Sequence, residues 1–209
     1  MFNRSKLQKK DGQRATELEE ELAKTLSAFE NSSSDLQQYL KFVYINSAEE
    51  VEFENASGTM SKYMLIRIPF RSLPYYKKAA AKVVDHLEGK FKWPVIVIAN
   101  RTIQSKRAKT HASQMRPRSR TLNAVHAALL EDIVVPSSVT ARSIRVSGTG
   151  GTQERVYLDP LDKTNVEQKI DCMAHAYAKL TTHKISIDFS KPTSFQKKKI
   201  EQMREKRGQ

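Results

Sequence analysis

Apolar positions recur along this chain in two periods, and the order of those periods predicts its architecture. Over residues 15–30, Leu18, Leu22, Leu26 and Phe29 fall at helical spacing. Glu17, Glu19, Glu20 and Glu21 crowd the start of that segment, where a helix dipole favours negative charge. The polar run 31–35 reads as a turn, and Ser34 with Gln37 fits a capping box for a short helix reaching about Phe42. Alternation then takes over. Val43 and Ile45, followed by Val51 and Phe53, predict a strand that bends near Asn46 and Ser47. After the turn signal Ala56-Ser57-Gly58, residues 62–70 predict a second strand. Pro74 suits the first turn of a helix whose buried stripe is Tyr76, Ala80, Val83, Leu87 and Phe91, with Gly89 weakening its last turn. Val95 to Ala99 is unbroken apolar sequence, as in a strand buried on both faces.

The second half runs through the same order. Ser119 or Thr121 can cap a helix carrying Leu122, Val125, Leu129 and Ile133, which Pro136 ends. Residues 143–146 and 155–158 read as a hairpin around Gly148, Gly150 and Gly151. Asn165 can cap a helix with the stripe Val166, Ile170, Met173, Tyr177 and Leu180, and residues 184–189 alternate as a closing strand. From Lys191 the chain is charged and weakly helical. The expected fold is α+β: helix, two strands, helix and strand on each side of an extended basic loop, with helices covering the sheets. No residue-level self-similarity accompanies the repeated order.

Charge changes the picture once it is located. The chain has 209 residues and a net charge of +13. Residues 1–14 carry +4, residues 101–120 carry +7 with no acid, and residues 190–209 carry +5, leaving −3 on the remaining 155. The organisation expected is therefore a basic N-terminal tail (1–14), a single near-neutral body (15–189) and a basic C-terminal extension (190–209), the body bearing a basic loop at 101–120. A cationic segment without acids repels itself, but along a phosphate backbone it releases counterions and gains affinity. A solvated surface or a localisation signal explains one short basic run; three on a near-neutral body point to nucleic acid.

Other classes are excluded or weakened. No apolar run approaches the length of a membrane span, and no apolar stretch follows the basic N-terminus as in a secretory signal. One cysteine, Cys172, rules out a disulfide framework and zinc sites built on paired cysteines. The glycine cluster lacks the Lys-Ser/Thr of a phosphate loop and fits a hairpin turn better. His86, His111, His126, His175 and His183 are scattered; His126 can donate to a phosphate or simply pack. Cys172 and His175 sit three apart on one helix, without the electropositive cleft a thiolate nucleophile needs. Of the close acid pairs, Glu131 and Asp132 read as facing solvent or pairing with a basic neighbour, and Asp159, with Asp162 nearby, as part of a turn out of a strand, rather than as a metal-dependent nuclease centre. No catalytic residue, metal, cofactor or small-molecule substrate is expected.

The expected RNA-binding residues are Arg101, Lys106, Arg107, Lys109, Arg116, Arg118 and Arg120 in the loop and Lys197, Lys198 and Lys199 in the tail. No aromatic is interleaved in 101–120, so base stacking is not this loop's device. The spacing Arg116, Arg118, Arg120 suits bidentate phosphate contacts on folded RNA, and Pro117 keeps Arg116 extended.

The stretch RPRSRTLNAVHAALLEDIVVPS (116–137) closely resembles the eukaryote-specific small-subunit ribosomal protein family numbered seven. SIRV (143–146), VYLD (156–159), NVEQK (165–169) and YAKLT (177–181) match in order and spacing, and similarity reaches back to about residue 35. The resemblance implies a structural, non-enzymatic protein of the small ribosomal subunit. Its partners would be small-subunit ribosomal RNA, near the eukaryotic expansion segments, and neighbouring ribosomal proteins, with no membrane. It also implies a role in rRNA maturation, in nucleolar precursors and then cytoplasmic ribosomes. It carries over Arg116, Arg118 and Arg120 as rRNA contacts. The loop is less lysine-rich than in that family, and the tail after Ser190 extends past the family's closing strand. The alternative expectation is an assembly factor or RNA chaperone that uses the same basic segments and then leaves the particle.

Overall fold

The computed structural model describes residues 6–9, 14–55, 58–105, 116–148 and 150–207. The chain forms two compact units, Met1–Pro136 and Ser137–Gln209, so the 15–189 body of the sequence reading contains a division at Pro136.

In the first unit, α1 (Glu17–Ser32) starts at a capping box the periodicity did not reveal. Thr16 Oγ1 accepts from the Glu19 N–H, and Glu19 Oε2 accepts from the Thr16 N–H at 2.8 Å. The box predicted at Ser34 and Gln37 is absent: Ser34 is already the first residue of α2 (Ser34–Leu40), and its hydroxyl points to Asp35. β1 (Ser47–Glu54) pairs antiparallel with β2 (Met60–Ile68). Val43 and Ile45 are not part of β1, because the Ile45 N–H and C=O are taken by Lys6 and Gln8 of the N-terminal segment, each at 2.8 Å. A short 3-10 turn, Phe70–Ser72, leads into α3 (Leu73–Phe91), which carries Pro74 in its first turn and keeps Gly89 within the helix. α3 ends on Lys92 at φ 64°, a left-handed cap. β3 (Val95–Ala99), buried at every position, then pairs parallel with β2.

One face of this sheet presents Met64, Ile66, Ile68, Val95, Val97 and Ala99 to Leu22, Leu26, Leu36, Leu40, Tyr76, Val83 and Leu87 of the three helices. The other face carries Val51, Phe53, Tyr63, Leu65, Ile96 and Ile98, all buried. α4 (Leu122–Val134) packs on β3.

The second unit repeats the plan. β4 (Val139–Val146) and β5 (Thr152–Leu158) form an antiparallel hairpin. Next come a 3-10 turn (Pro160–Asp162), α5 (Lys163–Val166), a further 3-10 turn, α6 (Ile170–Thr181) and β6 (Ile185–Phe189), parallel to β5. The helix predicted to run unbroken from Asn165 is thus two helices. α7 (Ser194–Arg207) closes the chain behind a second unforeseen capping box, in which Thr193 N–H donates to Gln196 Oε1 at 2.9 Å.

The α+β class therefore holds, as two three-stranded sheets ordered β1-β2-β3 and β4-β5-β6. From the end of β2 onward the two units correspond at a constant offset of ninety residues. Met64–Ile68 paired with Val95–Ala99 matches Glu154–Leu158 paired with Ile185–Phe189. The left-handed caps Lys92 and Thr182 match, as do the Asn100 and Ser190 N–H bonds to Ile68 and Leu158. The repetition is in the backbone; the side chains do not repeat.

Glu19 joins three parts of the first unit. Besides Thr16, it accepts from the Ala48 N–H at 3.3 Å and pairs with Lys9 at 2.5 Å. Burial pushes its carboxyl up, but Lys9 and the Thr16 and Ala48 N–H groups outweigh that and hold it below its ordinary value of 4.5. A carboxyl depressed in the folded state contributes stability above its unfolded pKa and loses it as pH falls through the folded one. Glu19→Gln is expected to cost about 1–3 kcal/mol at neutral pH. Below the ordinary carboxylate value the difference from the parent should shrink, as read by urea melts across that range.

Candidate nucleic-acid interface

The basic loop leaves β3 beside a buried carboxylate. Asp132, near the end of α4, is fully buried and accepts from the Ala99 N–H at 3.2 Å. Its second partner is Arg101, whose guanidinium bonds to Asp132 Oδ2, and Lys77 of α3 stands 3.6 Å from Oδ1. The same guanidinium lies over the Phe70 ring, 5.6 Å from its centroid. Tyr76, fully buried on α3, has its hydroxyl pushed up by burial first and then by the Asp132 and Glu88 charges. Of the two surroundings expected for Asp132, solvent or a basic partner, the structure has the second, and Arg101 departs from its expected role: it is only 11 % exposed and serves as the counterion of this acid. An unpaired carboxylate at this depth is too costly to keep, so the first cation of the loop is committed to the fold.

A few residues on, the two ends of the loop meet. Gln104 N–H donates to the Arg120 carbonyl at 3.0 Å, and Arg116 Nη1 donates to the Gln104 carbonyl at 2.9 Å. Arg118–Arg120 is one turn of 3-10 helix, closed by Thr121, whose N–H and hydroxyl both bond to the Arg118 carbonyl. That bond occupies the hydroxyl expected to cap α4, and no side chain caps the helix there. The result is a pinned neck. Arg118 and Arg120 are exposed on it, and Arg116 is half-buried with part of its guanidinium engaged. The predicted contacts Lys106, Arg107 and Lys109 lie outside the described residues.

In the second unit, Lys197, Lys198 and Lys199 are exposed on consecutive positions of α7. The helix is tied back where Gln196 Nε2 approaches Asp159 Oδ1 at 3.4 Å. The N-terminal basic run is used differently. Lys6 is buried, bonding to the Leu40 carbonyl at 2.8 Å and to Glu30 at 2.5 Å, and Lys9 serves Glu19. The signal for this lay in Leu7, an apolar residue in a cationic tail that joins Ile45 in a parallel bridge.

Exposed cations thus stand on a pinned turn in the first unit and on a helix in the second, each unit being built of helices on a three-stranded sheet. The particular family follows from comparison with known proteins. The family described as ribosomal protein S7e matches residues 6–189. The chain is 36% identical over 185 residues to the small ribosomal subunit protein eS7 of Avicennia marina, covering 88% of this chain and 95% of that one. It is 35% identical to the protein of the same name from Drosophila melanogaster (88% and 94% covered) and 36% identical to that of Caenorhabditis elegans (90% and 96%). The chain belongs to the ribosomal protein S7e family and is a structural, non-enzymatic ribosomal component. The match begins at Lys6, further toward the N-terminus than residue 35, and stops at Phe189, the last residue of β6, so α7 lies beyond it.

Removing Asp132 leaves Arg101 buried without its counterion. Asp132→Ala is expected to lose about 3–5 kcal/mol, and the paired change Arg101→Met with Asp132→Leu to regain most of it. Guanidinium melts of the parent, the single and the double variants check this.

Proposed function

We propose that this chain is a constituent of the small ribosomal subunit that binds and stabilises small-subunit rRNA through phosphate contacts. It joins the particle in the nucleolus, takes part in maturing the rRNA, and remains in cytoplasmic subunits beside neighbouring ribosomal proteins. The relatives named as small-subunit proteins support the assembly. The observation that carries the chemistry is the neck. Arg118 and Arg120 are exposed on a turn held by the Gln104–Arg120, Arg116–Gln104 and Thr121–Arg118 bonds. Their backbone is therefore ordered before RNA arrives, and docking forfeits little further entropy. Arginine forks match phosphate geometry in a way lysine does not. Lys106, Arg107 and Lys109 add charge between the two ends of the neck, and Lys197, Lys198 and Lys199 form a second contact from the extension after Ser190.

Two measurements test this. Binding of the full chain to a small-subunit rRNA fragment should fall steeply with salt, and Arg118→Ala with Arg120→Ala should lower the log–log slope by about 1–2. Arg101→Met made together with Asp132→Leu, which removes an internally neutralised cation along with its counterion, should leave the slope unchanged. Equal slopes for the parent and the Arg118/Arg120 variant would overturn the reading. Co-sedimentation should find about one copy per mature small subunit, whereas a chain confined to precursor particles would be an assembly factor.

A further inference from the structure

The near-neutral body is not uniformly neutral. Residues 55–84 contain no acid and six cations: Lys62, Arg67, Arg71, Lys77, Lys78 and Lys82. Lys62 and Arg67 pair with Glu52 and Glu49 across β1–β2, and Lys77 serves Asp132. Arg71, Lys78 and Lys82 are exposed and enter no ion pair among the described residues.

Large aromatic surfaces stand between those cations. Phe70, in the turn between β2 and α3, is 61% exposed although one side of its ring is covered by Arg101. In the first turn of α3, Tyr75 packs against Phe42 with ring centroids 4.8 Å apart and the planes tilted by 33°, and the two rings are 37% and 46% exposed. Lys78, three residues beyond Tyr75 on the same helix surface, lies over Tyr39 at 5.2 Å. Lys41 is exposed beside Phe42. The bond from Asn100 N–H to Ile68 O sets the exit of the basic loop next to Phe70, so this surface adjoins the base of the loop.

From this juxtaposition we infer that Phe70, Tyr75 and Phe42, flanked by Arg71, Lys78 and Lys41, form a stacking platform for unpaired RNA bases at the foot of the loop. The inference rests on the RNA-binding reading above and adds to it a second, different mode of contact. The loop cations address phosphates of folded RNA, while the platform takes bases out of a single-stranded stretch. Protein partners fit less well. A protein interface core is depleted in charge, whereas here each exposed ring has a cation as its neighbour and the surrounding sequence lacks acids. Alternating rings and cations are what single-stranded nucleic acid needs, with π-faces for bases and charge for the backbone between them. The rings are also held before binding. Arg101, fixed by Asp132, braces Phe70, and Phe42 braces Tyr75.

The test compares full-length protein binding to an unstructured single-stranded RNA of about twelve nucleotides and to a fully paired RNA hairpin. Phe70→Ala and Tyr75→Ala should each weaken single-strand binding by about tenfold and leave hairpin binding unchanged. Tyr75→Phe, which keeps the ring, should restore it, and the unchanged hairpin binding of the alanine variants shows that their loss is not one of misfolding. Arg118→Glu with Arg120→Glu should weaken the hairpin instead. Unchanged single-strand binding in the aromatic variants, with the arginine variant still impaired on the hairpin, overturns the platform and leaves the general reading standing. Equal loss on both RNAs with no rescue by Tyr75→Phe also overturns it, as does salt-insensitive binding or no binding to either RNA, which removes both readings. Photocrosslinking from Tyr75 in intact small subunits should yield a nucleotide adduct; a peptide adduct would make the surface a protein interface.

Discussion

A buried carboxylate ties together the segments of the first unit that meet at the end of β3. Asp132 sits in the interior of the first unit, where an isolated negative charge is prohibitively expensive, and it is tolerated because three groups converge on it. The Ala99 N–H fixes it to the last residue of β3, Arg101 neutralises it, and Lys77 adds a more distant charge from α3. One side chain thereby ties α4, the end of β3 and the start of the basic loop to α3. Because Arg101 is held, Phe70 is held beneath it. Because α4 is held, the turn at Arg118–Arg120 that precedes it is placed close to the residue where the loop departs.

This accounts for a division of labour among cations that look equivalent in the sequence. Lys6, Lys9 and Arg101 are internal counterions for Glu30, Glu19 and Asp132, each at least four-fifths buried. Arg118, Arg120 and Lys197–Lys199 pair with no acid among the described residues and stand exposed. Only the second set raises the surface potential, so the usable positive charge is more localised than the net +13 implies. The first set acts through stability, since it offsets desolvated acids and in doing so orders the segments that carry the second.

Periodicity made the helices and strands legible because each has one buried stripe or face: Leu22 and Leu26, Val83 and Leu87, and Val95–Ala99 all occupy the positions their spacing predicts. Tertiary pairing was not legible. Ile45 looked like the start of a strand because nothing local shows that Leu7 would claim its backbone. Glu19 read only as an acid at a helix start and Asp132 as solvated or paired with some basic neighbour, because the groups that hold them lie in other segments, Lys9 and Ala48 for the one and Ala99 and Arg101 for the other. Two capping boxes, at Thr16–Glu19 and Thr193–Gln196, did obey a local rule and were open to discovery from sequence. Of the interface, the exposed arginines of the neck followed from the motif, whereas the bonds that pin them depend on the Gln104 backbone meeting a segment twelve or more residues away.

The repeated backbone sharpens the question of what the first unit is for. At the ninety-residue offset, Phe70 and Arg71 correspond to Pro160 and Leu161, and Tyr75 and Lys78 to Asn165 and Gln168. The turn and the crossover are kept while rings and cations are both missing, so the topology alone does not call for an aromatic, basic surface there. What the two units do share is the exit. Each sends a basic segment out directly after its parallel strand, from Arg101 in one and from Lys191 in the other. Both exits lie at the carboxyl end of an edge strand, β3 on β2 and β6 on β5, so an appendage can begin there without breaking a ladder bond. Anchoring is what separates the two segments. The first returns to the core through α4 and is pinned by its own neck, while the second ends in a helix that reaches back to the 3-10 turn after β5 through Gln196 on Asp159. The exposed arginines of the first are therefore positioned by the fold, whereas the lysines of the second are placed only by the course of their own helix.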